Sequence, residues 1–256
     1  SRGLGDVYKR QIYFSDPRYI GDEKKEQKNM AVYRYNPFNG SVELAIGSDI
    51  IEKPNGLGLS PDGKTLYVAE TNNGTTGGAN DKNNPIIGRM TLNAFPILSD
   101  GSLGKKKVLI DFGNQTGIDG MTVDTMGNIY AAVRSENRFG IVAYTPSGKE
   151  LAYIPTKSLP TNCCFGKGEN SNILYITAGG GLYQIKMNVS GYHPATAPIS
   201  KHRNIGWISL FNGKTTEGWV PRGEFEFFKA LNGELHLQSN KNIWVAVSYT
   251  HLRAHE

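Results

Sequence analysis

Short apolar runs separated by polar turns follow one another along most of the chain. The clearest example is residues 54–70, which read PNGLGLSPDGKTLYVAE. The pair Asn55-Gly56 leads a first apolar run, residues 60–64 carry Pro and Gly, and a second apolar run follows at 65–69. Because Pro restricts φ and Gly accepts a positive φ, this pattern predicts a β-hairpin.

The same plan occurs twice more, at residues 119–133 (DGMTVDTMGNIYAAV) and at residues 162–178 (NCCFGKGENSNILYITA). The three leading residues, Asn55, Asp119 and Asn162, precede an aligned tyrosine by 12, 11 and 13 positions. They lie 64 and 43 positions apart, an interval typical of propeller blades. The turn between the two apolar runs absorbs the difference of one residue.

Further apolar runs lie between these hairpins and complete units of four strands. No stretch shows the 3.6-residue periodicity of a capped helix. The chain is therefore predicted to be all-β and repetitive, which describes a β-propeller.

Composition narrows the classes of partner. The chain has 256 residues, with 31 Gly, 12 Pro and 13 Tyr, which fits many short strands and turns. No apolar run approaches the roughly 18 residues of a membrane helix, so no membrane partner is expected. Residues 1–11 and 247–256 lack the repeat and resemble translated adapter read-through, so they are set aside. Without them 24 basic side chains face 21 acidic ones, and no nucleic-acid partner is expected.

The domain prediction follows from these patterns. Residues 12–189 form the partial propeller, and residues 190–204, with Pro, His and Ser, form a linker. Residues 205–246 are β-rich but do not repeat the propeller unit. Because so short a segment buries too little core to fold unaided, it is predicted to begin a larger second domain.

A family resemblance extends over residues 12–188. The motifs above, together with the opening IYFSDPRY, resemble the gluconolactonase/senescence-marker (regucalcin-like) family. That resemblance implies a six-bladed β-propeller, of which about four blades are present, and hydrolysis of sugar-acid lactones. Separately, residues 207–219 (WISLFNGKTTEGW) resemble the opening of the 3-keto-disaccharide hydrolase family. This second resemblance implies the first strands of a truncated jelly-roll-like β-sandwich at residues 205–246, with a carbohydrate contact through this C-terminal part.

The first resemblance also implies site residues. The family's Asn metal ligand lies in its NGL motif, which is Asn55 here, and its Asp ligand lies in the DGM motif, which is Asp119. Asp119 is implied as the catalytic base as well, and the cation is implied to be divalent, usually Ca²⁺. A Glu ligand and a substrate-binding Asn of the family have no counterpart, and both are expected upstream of Gln11. Hydrolysis by this fragment is therefore expected to be impaired.

Several alternatives stay open from the residues alone. Asn-Gly and Asp-Gly are common turn pairs, so Asn55 and Asp119 are either ligands or ordinary turn residues. Asn162 is assigned to the same register, either as a substrate contact or as a structural amide. The rival function is a non-catalytic propeller that binds a glycan or a protein. A periplasmic or secreted location follows only from the resemblance.

Overall fold

The first unit of the chain is a set of antiparallel sheets. A computed structural model describes residues 11–19, 27, 29–36, 39–74, 87–193, 214–217, 219–222, 225–238 and 244–247. The chain divides into two compact units, residues 1–200 and residues 201–256. Most of the predicted tails and linker, namely residues 1–10, 194–204 and 248–256, lie outside the described residues, as do residues 75–86.

Fourteen strands are described in the first unit, and each pairs with its neighbour in sequence. Sheet I contains β1 (Ile12–Asp16), β2 (Ala31–Tyr35) and β3 (Val42–Ile46). Sheet II contains β4 (Pro54–Leu59), β5 (Thr65–Thr71), β6 (Met90–Pro96) and β7 (Lys107–Asp111). Sheet III contains β8 (Ile118–Val123), β9 (Ile129–Val133), β10 (Gly140–Tyr144) and β11 (Glu150–Pro155). Sheet IV contains β12 (Pro160–Phe165), β13 (Ile173–Ala178) and β14 (Gly181–Lys186).

The all-β prediction is confirmed. Within the described residues the helical content is one 3-10 turn, Gly168–Asn170, between β12 and β13. The meander of consecutive antiparallel strands is propeller-like, as the repeat predicts. The number of blades in the intact ring stays a prediction.

The hairpin turns form because their polar side chains bind their own backbone. In the turn after β4, Asp62 Oδ1 accepts hydrogen bonds from Ser60 Oγ at 2.6 Å and from the Lys64 amide at 3.0 Å. Gly63 adopts a φ of 66°, which a residue with a side chain rarely adopts. In the turn after β8, buried Asp124 accepts from the amides of Met126 and Asn128 at 2.9 and 2.8 Å. These contacts join residues close in sequence, so each hairpin turn is stabilised locally.

The core lies between the sheets, which pack face to face. One apolar cluster joins sheets I and II, a second joins II and III, and a third joins III and IV. Strand β9 shows why its sequence is continuously apolar. Ile129 and Ala131 face sheet II, whereas Tyr130 and Ala132 face sheet IV, because successive side chains point to opposite faces.

The outer sheets of this unit carry exposed apolar side chains. On β14, Leu182 is 72% exposed, and on β3 both Val42 and Leu44 are 57% exposed. Exposed apolar side chains on the face of a sheet are typical of surfaces that pack against further structure.

The second unit contains two described strand pairs. Strand β15 (Trp219–Arg222) pairs with β18 (Trp244–Val247), and β16 (Phe227–Leu231) pairs with β17 (Glu234–Gln238). The β16–β17 hairpin turns at Asn232-Gly233, where both residues have a positive φ. The jelly-roll-like prediction for this unit stays a prediction.

Candidate functional site

The leading residues Asn55 and Asp119 both lie in β-bulges. In sheet II, Pro54 pairs with Glu70 and the next pair is Leu57 with Val68, so Asn55-Gly56 forms the irregularity. In sheet III, Ile118 pairs with Val133 and the next pair is Met121 with Ala131, so Asp119-Gly120 forms it. A bulge leaves a residue outside the ladder and redirects its side chain. Asn55 and Asp119 are thus neither hairpin-turn residues nor regular strand residues.

Close backbone packing brings these two bulges together. Strands β4 and β8 are neighbours across the interface between sheets II and III. A Cβ at Gly56 would collide with the carbonyl oxygen of Asp119, so only glycine fits there. Gly120 in turn leaves room for the side chain of Asn162 on β12. The glycine of each leading pair therefore allows adjacent first strands to touch where their polar residues emerge.

Four side chains meet there, and we call them the Asp119 cluster: Tyr19, Asn55, Asp119 and Arg134. The Asn55 side chain lies close enough to the Asp119 carboxylate and to the Tyr19 phenol to lower the pKa of each. Arg134 Nη1 donates to Asp119 Oδ2 at 3.0 Å. The side chains of Asp119 and Arg134 are 30% and 28% exposed, so a solute can reach them. The predicted pair Asn55 and Asp119 is thus brought together.

Asp119 lies in a balance between burial and charge. Burial raises its pKa, while the charge of Arg134 and the hydrogen bonds from Arg134 and Asn55 lower it. Burial is the larger effect, and the pKa stays above the ordinary value for an aspartate. In the absence of other ligands, Asp119 therefore holds a proton more readily than an exposed aspartate would.

Tyr19 joins the cluster from the segment after β1. Its hydroxyl donates to the Thr71 carbonyl at 2.9 Å, which ties sheet I to the end of β5. Lys53, fully buried, places its Nζ 4.4 Å from the centre of the Tyr19 ring and donates to Asn73 Oδ1 at 3.2 Å. Burial raises the pKa of Tyr19, so the phenol stays protonated as a donor.

Sequence reasoning missed Tyr19 and Arg134. Arg134 had a usable signal, since it is a charged residue directly after the wholly buried strand β9. Tyr19 had none, because its part depends on a contact across 52 positions of sequence.

The predicted register of Asn162 is wrong by one residue. Asn162 pairs with Thr177, and Cys163 pairs with Ile176, which places Asn162 level with Gly56 and Gly120. Thr161 instead falls in the irregular position that Asn55 and Asp119 occupy in their sheets. The longer turn that holds the 3-10 turn Gly168–Asn170 shifted the count from the aligned tyrosine. Asn162 Oδ1 accepts from the Cys163 amide at 2.8 Å, and its role as a substrate contact stays a prediction.

The donor chemistry of Asn55 and Asp119 fits a hard divalent cation. Both offer oxygen atoms, the ligands that calcium prefers, and they supply two of the roughly six to eight that it takes. Within the described parts of the chain, no three His, Cys, Asp or Glu side chains are grouped as a metal site. The remaining ligands would thus be water, substrate or other oxygen atoms.

A family model and curated relatives of similar sequence all concern gluconolactonase-like proteins. The family model for the SMP-30/gluconolactonase/LRE-like region matches residues 9–180. A gluconolactonase of Zymomonas mobilis is 30% identical over 190 residues, which cover 70% of this chain and 48% of that protein. The lactonohydrolase oryH of Aspergillus oryzae is 29% identical over 175 residues, covering 64% of this chain and 35% of the relative. The chain thus spans half or less of the length of these relatives.

Solved structures agree on the fold. A gluconolactonase of Xanthomonas campestris superposes with a TM-score of 0.54 at 25% identity, covering 71% of this chain and 54% of that one. A calcium-binding regucalcin of Agrobacterium tumefaciens superposes with a TM-score of 0.51 at 21% identity, covering 71% of this chain and 64% of that one.

In the described part of the chain, no helix has the length and hydropathy needed to cross a membrane.

Proposed function

Because the chain belongs to the SMP-30/gluconolactonase/LRE-like family, we propose that it is part of a hydrolase of sugar-acid lactones, with the Asp119 cluster at its active site. The observation that supports this proposal most is the meeting of Asn55 and Asp119 at matching bulges of two sheets. Relatives named gluconolactonase and lactonohydrolase make a lactone the substrate to test first.

The proposed reaction is attack of water on the lactone carbonyl carbon. Asp119 accepts a hydrogen bond from the attacking water, orients it and takes its proton. The ring C–O bond breaks, and the proton passes to the departing ring oxygen. The product is an open-chain hydroxy acid.

The other members of the cluster position the reactants. Asn55 lies beside the same carboxylate and offers its amide oxygen as a second protein ligand for the cation. Tyr19 fixes the orientation of Asn55, since its own hydroxyl is held by the Thr71 carbonyl. Asn162 lies beside Gly120 and is the proposed further contact for the substrate.

The proposed cofactor is Ca²⁺, held by the oxygen atoms of Asn55 and Asp119. When bound, such an ion supplies Lewis-acid polarisation of the lactone carbonyl. Carbohydrate binding by residues 205–246 is a separate proposal, which rests on the resemblance of that segment alone.

The test is hydrolysis of glucono-1,5-lactone by the chain with the upstream blades restored, followed by acid release with calcium added or removed by a chelator. Asp119→Ala is expected to abolish the calcium-dependent rate. Asp100→Ala is the matched control, because Asp100 is exposed and its described hydrogen bonds go to Ser102 of its own turn. Equal rates for the two variants would refute the role of Asp119. Binding of a glycan or protein without turnover would favour the non-catalytic propeller.

A further inference from the structure

We propose that Arg134 competes with the divalent cation for the Asp119 carboxylate and so sets the cation affinity of the site. This inference rests on the proposed function, which places a cation at Asn55 and Asp119. It adds a residue that the family pattern of NGL and DGM motifs does not include.

The backbone holds Arg134 in place beside Asp119. Arg134 is the first residue after β9, and its amide donates to the Gly117 carbonyl at 2.9 Å, just before β8 begins. Its guanidinium is therefore carried by the same hairpin as its partner carboxylate. This tether keeps the positive charge near Asp119 even when the ion pair is broken.

The guanidinium also bridges two sheets. Nη1 donates to Asp119 Oδ2 at 3.0 Å in sheet III and approaches the Pro160 carbonyl oxygen at 3.4 Å in sheet IV. Both contacts use one nitrogen, and the side chain is 28% exposed. The contact with sheet IV therefore helps to hold the positive charge of Arg134 beside Asp119.

A cation and the guanidinium require the same carboxylate. Calcium binds carboxylate oxygen at about 2.3–2.6 Å, closer than Arg134 Nη1 now lies. A carboxylate has acceptor sites for both groups, but two positive groups within a few ångströms repel each other. Because the cluster is partly buried, water and salt screen this repulsion less than at an open surface. The cation must therefore displace the guanidinium or bind against its charge.

An exposed ion pair away from Asp119 supplies a matched control. Arg138 forms an ion pair with Glu150 through two nitrogens, at 2.8 and 2.6 Å, and both side chains are exposed. Arg138→Gln removes the same charge from the chain without touching Asp119. Comparing it with Arg134→Gln separates a local effect from the change in net charge.

The experiment is calorimetric titration of calcium into the metal-free chain and its variants. Arg134→Gln is expected to bind calcium at least about tenfold more tightly than the parent. Arg134→Lys, which keeps the charge, is expected to stay within about threefold of it. Arg138→Gln is expected to match the parent.

Other outcomes overturn the inference, and they are distinguishable. If Arg134→Gln binds calcium equally or more weakly while the parent binds it, Arg134 is only a bridge between sheets III and IV, and the proposed function stands. If neither the parent nor any variant binds calcium, both the competition and the calcium dependence fail. Circular dichroism of each variant checks folding. If the glutamine variant unfolds, Arg134→Met, which also removes the charge and is expected to bind calcium at least about tenfold more tightly than the parent, takes its place.

Discussion

Two carboxylates at the bulged ends of their hairpins have opposite surroundings. Glu70, opposite Pro54 in the ladder, is completely buried and accepts four hydrogen bonds within 3.1 Å. Its partners form, with it, what we call the Glu70 cluster: the backbone amide of Glu52 and the side chains of Arg89, Thr91 and Lys106. Asp119 is 30% exposed, and its described charged partner is Arg134. A carboxylate that is fully satisfied inside the protein serves the fold, whereas one that keeps open acceptor sites can take a ligand.

The Glu70 cluster also explains how the site is supported. Arg89 and Lys106 precede β6 and β7, so Glu70 ties three strands of sheet II to the segment that leads into β4. Arg89 further pairs with Glu52 at 3.1 Å. The Glu70 cluster thereby ties together the strands of sheet II, which carries Asn55, whereas Asp119 and Arg134 keep partly exposed polar atoms.

The largest expected effect is the loss of lactone hydrolysis when Asp119, but not Glu70, loses its carboxylate. Asp119→Asn keeps the shape of the side chain but removes the proposed base, so kcat for lactone hydrolysis is expected to fall by about a thousandfold. Its free energy of unfolding should change little, because Asp119 and the Arg134 left behind are 30% and 28% exposed and both reach solvent. Steady-state kinetics and urea unfolding measure the two quantities. A large loss of stability with normal turnover would reverse the assignment of the two clusters.

The next effect is on stability. Glu70→Gln leaves Lys106 and Arg89 facing a neutral group inside sheet II, and the free energy of unfolding is expected to drop by about 3 kcal/mol. Below the new unfolding transition the variant should keep its calcium affinity. Urea unfolding measures the drop. Glu150→Gln, in the exposed ion pair with Arg138, is the control whose free energy of unfolding should change little. An unchanged transition for Glu70→Gln would show that the buried cluster does not hold the sheet.

The smallest of the three effects concerns the contact between the bulges. Gly56→Ala places a methyl group against the Asp119 carbonyl oxygen, so β4 and β8 must separate, at a cost of about 1–3 kcal/mol. Calcium affinity should weaken as well, because Asn55 and Asp119 move apart. Gly63→Ala is the control, since its Cβ would meet no atom within 4 Å and the strain at its φ of 66° stays local. Equal calcium affinities for the two alanine variants would mean that the bulge contact does not build the site.

The sequence by itself determined the local structure. The Ser60–Asp62 and Asp124–Asn128 contacts join residues close in the chain, so composition and order were enough to predict both hairpins. The buried second strand of each hairpin could also be predicted from sequence. Strand β9, for example, packs between two sheets and needs apolar residues on both faces. Asn55 and Asp119 could be singled out because each precedes an apolar run in the same pattern.

Only the tertiary structure decided which groups surround those two residues. Arg134 and Tyr19 reach the site through a salt bridge over 15 positions and a sheet contact over 52, and neither leaves a periodic pattern. The register of Asn162 was predicted wrongly for a related reason. The turn between β12 and β13 is longer than its counterparts, and only the strand pairing in the structure shows which residues lie opposite each other. Turns and hairpins form through contacts between residues close in sequence, so the sequence predicts them. The pKa of Asp119 depends on burial and on the nearby Arg134 and Asn55, which only the folded structure brings together.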